Sequence, residues 1–302
     1  MPTLIVITGP TGSGKTDLAL ELAVRLHCDI ISADSRQIYQ GLPIGTAAPS
    51  AEQLARVRHH FVASLPLDAY YSAAQFESDV MALLPELWQQ GEYAIMCGGS
   101  MMYIDAVTRG IDELPTVSET VRREAYGLLE REGIEAVRER LRELDPDYLE
   151  RADPANHKRL VHALEVSMEA GVPYSSLLTG EVRQRPFRIL QFALDLPREI
   201  LFDRINRRVD AMVAAGLEDE ARAVYHLRSL NSLNTVGYKE MFAWFDGTMD
   251  RTTAIERLKK NTRVYAKKQL TWLRRRPEIE LLAPDTALNQ IMQRISSPNN
   301  AQ

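Results

Sequence analysis

Two patterns of apolar residues alternate along this chain. Short unbroken runs, Leu4-Ile5-Val6-Ile7 and Tyr93-Ala94-Ile95-Met96-Cys97, are those of strands covered on both faces. Longer stretches carry apolar residues three and four positions apart, as on one face of a helix. Leu18, Leu22 and Leu26 follow the first run in this way. Phe76, Val80, Leu83, Leu84 and Leu87 define a helix between Ser72 and Gln90, with Ser72 as its N-cap. Asp29 to Ser35 reads as a second strand that ends in polar residues. Arg36 to Gly45 is a loop with Gly41, Pro43 and Gly45, Ala51 to Arg58 a short helix, and His59-His60-Phe61-Val62 a short strand. Strands alternating with helices predict an α/β fold with a parallel sheet flanked by helices.

The rhythm changes after Gly110. From Glu113 to about Arg185 the chain is rich in Glu, Arg and Leu, and three helical segments follow without a strand: Glu119 to Gly133, Ile134 to Leu144 and Asn156 to Ala170. Phe187 to Asp195 reads as a strand returning to the sheet. Pro197 opens a helix with Ile200, Leu201, Ile205, Val209 and Met212, on which Arg204 and Arg208 share a face. The expected organisation is an α/β core of residues 1–112 and 187–302, interrupted by a helical insertion domain at 113–186.

A chain of 302 residues, 45% hydrophobic and 25% charged, has room for one large domain or two modest ones and the composition of a soluble globular protein. The two cysteines, Cys28 and Cys97, lie in or beside apolar runs and are expected as buried free thiols rather than as a disulfide or zinc site. No N-terminal signal pattern and no membrane-spanning run is legible, so a cytoplasmic protein is expected. The net charge of −5 argues against a nucleic-acid partner until it is read locally. Between Arg251 and Arg276 there are ten Lys or Arg and one acidic residue, Glu256, a local excess of +9. Ile255, Leu258, Thr262, Tyr265, Gln269 and Trp272 give this stretch one face able to pack. Cations interleaved with Tyr265 and Trp272 suit an RNA surface, with a solvated amphipathic helix as the alternative.

The candidate chemistry lies at three expected strand ends. Gly9-Pro10-Thr11-Gly12-Ser13-Gly14-Lys15-Thr16 fits the phosphate-loop pattern, with a strand before it and a helix after it. Backbone amides and a helix N-terminus then converge on a diphosphate or triphosphate, Lys15 adds a charge, and the Thr16 hydroxyl suits a magnesium ion. Asp34 and Ser35 end the second strand, and Gly98-Gly99-Ser100 the third. On position alone, Asp34 is equally a functional carboxylate or an Asx turn. His59 and His60 lack neighbours that would make a metal site and are expected to pack or cap. The convergence of the three loops on one cleft is the expected active site.

Taken together, these strings resemble the bacterial tRNA dimethylallyltransferases. The resemblance spans nearly the whole chain. Besides the phosphate loop it rests on Ser32 to Tyr39, Ile44 to Ala47, Tyr71 to Ala73, Gly98 to Ser100, Lys158 to Leu160, Ala163 to Val166, Val236 to Glu240 and Tyr265 to Leu273. It implies a phosphate-loop NTPase-like core and transfer of a dimethylallyl group from dimethylallyl diphosphate. The acceptor would be the N6 amine of the adenosine just 3′ of the anticodon, in tRNAs reading codons that begin with U. It implies Mg2+ as cofactor and the tRNA anticodon stem-loop as partner, with no membrane and a monomeric working unit.

The resemblance also assigns roles. Asp34 would be the general base, with Thr11, Lys15, Ser100 and Arg208 completing the catalytic set. The loop from Gly9 to Thr16 would hold the diphosphate. Asp34, Ser35, Arg36, Gln37 and Ser100 would surround the extruded adenosine. RNA contacts are implied at Arg122, Arg123, Lys158, Arg159, Leu160, Val161 and His162, at Val236, Gly237, Tyr238 and Lys239, and at Lys267, Lys268, Gln269 and Arg274. Along the basic helix, Lys259, Lys260 and Arg263 are expected to track phosphates as well. Three departures are visible. Ala48 replaces a common lysine, His162 replaces a common arginine, and the zinc finger of eukaryotic relatives is missing. A small-molecule kinase, a prenyltransferase acting on free adenine nucleotides and a non-enzymatic RNA-binding nucleotide switch are the competing readings. None of them needs both Asp34 at the donor site and the basic C-terminal third.

Overall fold

The computed structural model describes residues 1–297, which fall into two compact units: Met1–Thr108 with the chain from Arg185 onward, and Arg109–Gln184. The first unit is built on six parallel strands. These are β1 (Thr3–Thr8), β2 (Ile30–Ala33), β3 (His59–His60), β4 (Tyr93–Gly98), β5 (Arg188–Leu194) and β6 (Ile279–Leu282), in the spatial order β3-β2-β4-β1-β5-β6. The helices of this unit are α1 (Lys15–Leu26), α2 (Ala51–Arg56), α3 (Ala73–Leu87) and α4 (Met101–Arg109). After the excursion through the second unit come α9 (Arg198–Ala214), α10 (Leu217–Val224), α11 (Tyr238–Phe245), α12 (Arg251–Leu273) and α13 (Pro284–Ser296). The second unit is helical: α5 (Glu119–Leu144), α6 (Pro146–Arg151), α7 (His157–Ala170) and α8 (Tyr174–Leu177).

Strand β1 sits between β4 and β5, which is why its apolar run is unbroken: Leu4, Ile5, Val6 and Ile7 are all fully buried. Alternation decides which layer each meets. Ile5 and Ile7 point towards α1 and α13, packing with Ala19, Leu22 and Ile291, whereas Leu4 and Val6 point towards α3 and α4, packing with Phe76, Val80 and Ile104. Burying each of these four side chains contributes about 1.5–3 kcal/mol. A third core, under α10 to α12, joins Leu217, Tyr238, Phe242, Ala254 and Leu258 to Ile38 and Leu42 of the loop after β2.

Local sequence explains the element ends. Ser72 caps α3, accepting from the Gln75 amide while the Gln75 side chain returns to the Ser72 amide. Asp250 caps α12 through the Thr253 amide and hydroxyl. The expected break between Glu119–Gly133 and Ile134–Leu144 falls at Gly133, whose φ of 82° interrupts α5. Strand β3 is shorter than expected because Phe61 turns to a φ of 62°, taking it and Val62 out of the sheet. Strand β6 was not expected at all. It is four residues long and contains a charge, and only its pairing with β5 makes it a strand.

The buried stripe of α12 also differs from the expected one. Ala254, Leu258, Ala266, Gln269 and Leu273 are buried, while Tyr265 and Trp272 flank the stripe. The Trp272 indole donates to Asp105 of α4 at 2.9 Å, and Arg276 donates to the same carboxylate at 2.7 and 3.1 Å.

Where the chain re-enters the first unit, Arg185 is buried against Glu77 of α3 and donates to the carbonyls of Ala106 and Val107. Each member of the pair keeps only 9% of its side-chain exposure. Glu77→Ala would leave the guanidinium buried beside carbonyls alone. It should cost about 3–5 kcal/mol, read as a lowered urea midpoint at unchanged slope.

Candidate active site

A parallel sheet sends every strand's carboxyl end to the same edge, so the loops after β1, β2 and β4 meet there. They border a cavity of about 490 Å³. The loop after β1 turns through Gly9, Gly12 and Gly14 at φ of 142°, 83° and 96°, and Gly14 starts α1 directly. Only glycine holds these angles without strain. Helix α9 closes on this loop. A methyl group at Gly12 would come within 3.1 Å of Ile205, and Arg204 donates to the Ser13 carbonyl at 3.3 Å. The Ser13 hydroxyl is fully buried and has no hydrogen-bond partner among the described residues.

Lys15, Thr16, Asp34 and Arg208 all line the cavity. Burial pulls the Lys15 ammonium below its ordinary value. Cys97 and Asp34 oppose that shift, and Arg208 adds to it. The Arg208 guanidinium is also lowered by burial, with Asp34 opposing. Two cations held in a poorly solvated space beside one carboxylate make a site for an anion.

Asp34 performs a structural task without exhausting its chemistry. Its Oδ1 accepts the amides of Arg36 at 2.9 Å and Gln37 at 3.3 Å, which is the Asx turn that its position allowed. Oδ2 makes no hydrogen bond among the described residues, so a carboxylate fixed by one oxygen offers the other to the cavity. Ser100 holds the next residue: its Oγ accepts the Ser35 amide at 2.8 Å, and its hydroxyl donates to the Ser35 Oγ at 3.2 Å. Arg36 donates to the carbonyls of Asn231 and Ser232. Gln37 bridges the Ser32 hydroxyl to the carbonyls of Thr46 and Ala47. Both line the cavity, yet their polar ends are committed to the fold.

Other expected residues divide sharply. Thr11, Ser35, Val236, Gly237 and Lys239 line the cavity. Tyr238 does not: it is fully buried, donates to Glu220 at 2.6 Å, and lies where a methyl group on Gly45 would come within 2.5 Å of its hydroxyl. Glu220 also accepts the amides of Ile44 and Gly45, so Tyr238 braces that loop and has no face left for RNA. Leu160 and Val161 are likewise buried, in the core of the helical unit. Lys158, Arg159 and His162 are exposed on α7, and Arg123 is exposed on α5. Arg122 pairs with the nearly buried Glu165 at 3.4 Å.

On α12, Lys267, Lys268 and Arg274 are exposed, with Lys267 5.6 Å above the Phe202 ring. Lys259 is held by Asp210 and Glu256, and Arg263 by Asn206, so these two are not the open phosphate contacts expected. Gln269 faces inward, 3% exposed, between the loops after β1 and β4.

Tyr265, read from the sequence as part of a packing face and as an aromatic among RNA-suited cations, lines the cavity. Burial first, then the Asp34 charge, push its phenol up to about 12. His59 also lines the cavity, but its Nδ1 is on the Val57 carbonyl, while His60 is on Asp29 at 2.8 Å. Cys97 and Cys28 are free thiols pushed up by burial to about 11 and 12. Among the described residues no group of three His, Cys, Asp or Glu could hold a metal, and no helix is long and apolar enough to cross a membrane.

Comparison with known proteins matches residues 37–276 to the family model described as IPP transferase. That span begins after the loop from Gly9 to Thr16 and after Asp34. The tRNA dimethylallyltransferase 2 of Parabacteroides distasonis is 51% identical over 285 residues, 94% of this chain and 95% of that protein. The tRNA dimethylallyltransferase 1 of Phocaeicola vulgatus is 51% identical over 298 residues, 99% of both. Among solved structures, the tRNA isopentenylpyrophosphate transferase of Bacillus halodurans superposes with a TM-score of 0.72 at 34% identity, covering 98% of this chain and 96% of that one. A eukaryotic dimethylallyltransferase solved acting on tRNA gives a TM-score of 0.82 at 25% identity, covering 98% and 78%.

The two tasks of Asp34 are separable. Asp34→Asn keeps an Oδ1 acceptor for the Arg36 and Gln37 amides, and Asp34→Ala does not. The alanine variant should lose about 0.5–2 kcal/mol more stability than the asparagine variant, as when a capping acceptor is removed. Denaturant titration of the pair measures this, and equal stabilities would mean the turn does not depend on the carboxylate oxygen.

Proposed function

The chain belongs to the IPP transferase family, and from that premise we propose how its cavity performs prenyl transfer to tRNA. The reaction joins the dimethylallyl group of dimethylallyl diphosphate to the N6 amine of the adenosine immediately 3′ of the anticodon. The observation that carries this reading is the meeting, in one cavity, of a phosphate loop, two partly buried cations and a carboxylate with one uncommitted oxygen.

The bond from N6 to the allylic carbon forms as the carbon–oxygen bond to diphosphate breaks, and the leaving group departs with the electron pair. Negative charge therefore grows on the diphosphate, where Lys15, Arg208 and the loop amides from Gly12 to Thr16 receive it. Burial disfavours their charge, and an anion beside them favours it. The exocyclic amine is a poor nucleophile, so its proton must leave as the bond forms. Oδ2 of Asp34 takes that proton while Oδ1 keeps the carboxylate oriented. Ser100 and Ser35 fix the loop that carries it, and Thr11 lies between the two halves of the site.

The Thr16 hydroxyl lines the cavity and has no protein partner among the described residues, and the buried Ser13 hydroxyl is also unpartnered. The Thr16 oxygen, which borders the cavity as the Ser13 hydroxyl does not, suits a hard cation, so Thr16 would hold Mg2+. Bound there, the ion would neutralise charge on the leaving group. The stacked acceptor base has to be extruded from the anticodon loop to reach Asp34. In the first unit the exposed cations include Lys239 at the cavity and Lys267, Lys268 and Arg274 at the end of α12; the helical unit, taken by itself, exposes Arg123, Lys158 and Arg159. A tRNA substrate puts this work in the cytoplasm.

Labelled dimethylallyl diphosphate offered in parallel to unmodified tRNA, AMP and ATP tests the reading; label should enter tRNA alone. Asp34→Asn should then lower turnover by roughly 10²–10⁴-fold with tRNA affinity retained. Lys15→Ala and Arg208→Ala should weaken use of the diphosphate donor and leave RNA affinity nearly unchanged. A defect confined to the tRNA term would remove Arg208 from the donor site.

The RNA surface predicts its own salt dependence. Lys267→Ala with Lys268→Ala should weaken tRNA binding and flatten the slope of log affinity against log salt by about one to two units. The buried stripe through Leu258, Ala266 and Leu273 is untouched, so the melting temperature should hold. An unchanged slope would make this part of α12 a solvated face.

A further inference from the structure

The amide of Gln269 is the only side-chain group that joins the phosphate loop to the turn after β4 in the hydrogen bonds of the described residues. Its Oε1 accepts the Thr11 amide at 3.0 Å, and its Nε2 donates to the Gly99 carbonyl at 2.8 Å. Both partners are backbone groups of fixed polarity, so the orientation of the amide is determined. The fit is tight: a methyl group on Gly99 would come within 2.4 Å of Nε2. From Gly99 the connection continues through the next residue, since Ser100 holds the Ser35 amide beside Asp34. The same helix presents Lys267 and Lys268 to solvent immediately before Gln269.

We propose that Gln269 is a positioning residue that sets the diphosphate-binding loop in register with the loop carrying Asp34, and that it makes no contact with RNA. The inference rests on the reading of this cavity as a prenyl-donor site. It replaces the RNA contact that the sequence implied: Gln269 borders the cavity, but it is 3% exposed and its amide is engaged by both loops. The physical reason is that loops at a sheet edge have no ladder to hold them. A buried amide that satisfies a donor on one loop and an acceptor on the other fixes their separation.

The test uses the full-length enzyme and inorganic diphosphate as probe, with titration calorimetry for diphosphate and filter binding for tRNA. Gln269→Met keeps the volume and removes both hydrogen bonds. It should weaken diphosphate binding about tenfold or more at every pH, and leave tRNA affinity within about twofold. Gln269→Glu keeps the acceptor for Thr11 but sets a second oxygen against the Gly99 carbonyl when ionised. Burial raises such a carboxyl, and once protonated it donates as the amide does. Relative to wild type, its diphosphate affinity should be reduced about tenfold or more at pH 8 and return to near parity by about pH 5.5. Thermal melts check that the variants fold. If the Met variant does not, Gly99→Ala, which displaces Nε2, carries the same expectation.

A neutral variant with wild-type diphosphate affinity, or a Glu variant that stays weak at low pH, overturns the proposal. Loss of tRNA affinity with diphosphate binding intact restores Gln269 to the RNA surface. A wild type that binds no diphosphate would count against the reading of the donor site rather than against Gln269.

Discussion

Lys15 and Arg208 stand in a cavity where burial works against the charge of each, and Asp34 is the carboxylate that opposes this for both. Two cations held partly out of water beside a single carboxylate suit an anionic ligand. Everything around them serves to keep that arrangement in place. The phosphate loop cannot relax, because Gly12 is backed by Ile205 and the Ser13 carbonyl is held by Arg204. The arginine of α9 cannot withdraw, because Leu201, Ile205 and Val209 on the same helix are buried. Charges fixed before the ligand arrives need little reorganisation when a leaving group becomes more negative, which is where a preorganised site lowers a barrier.

The polar side chains at the sheet edge are mostly committed to holding loops. Asp34 gives one oxygen to a turn, Gln37 ties Ser32 of β2 to Thr46 and Ala47, Glu220 collects two amides and a phenol, and Gln269 spans two loops. A polar residue at a strand end is therefore weak evidence of contact with substrate. What distinguishes Asp34 is arithmetic: an ionised carboxylate has more acceptor capacity than the Asx turn consumes. The side-chain amide of Gln37 has no comparable surplus, and Gln269 is held by both of the loops it joins.

The same sorting applies to the basic helix. Ten cations in twenty-six residues make a strong compositional signal, but the fold uses several internally. Lys259 is neutralised by Asp210 and Glu256, Arg276 by Asp105, and Arg251 by Glu218. Those left exposed, Arg257, Lys260, Lys267, Lys268, Arg274 and Arg275, run from the second turn of α12 to just beyond its end. A salt-dependent RNA footprint depends on the open cations and not on the total.

The sequence by itself determined the fold class, the phosphate loop, the carboxylate at the second strand end and the family. Each is written in a local pattern: an unbroken apolar run, glycines at fixed spacing, a string of residues in order. It also located the break at Gly133 and the cap at Ser72, because these depend on neighbours within a turn. Only the tertiary structure decided that Tyr238, Leu160, Val161 and Gln269 face inward, that the buried stripe of α12 runs through Ala266 and Leu273, and that Ile279–Leu282 is a strand. Those outcomes are set by partners distant in sequence: Glu220 for Tyr238, Thr11 and Gly99 for Gln269, and β5 for β6. A helical repeat specifies spacing around an axis; the direction a given side chain faces is fixed only when another element packs against it.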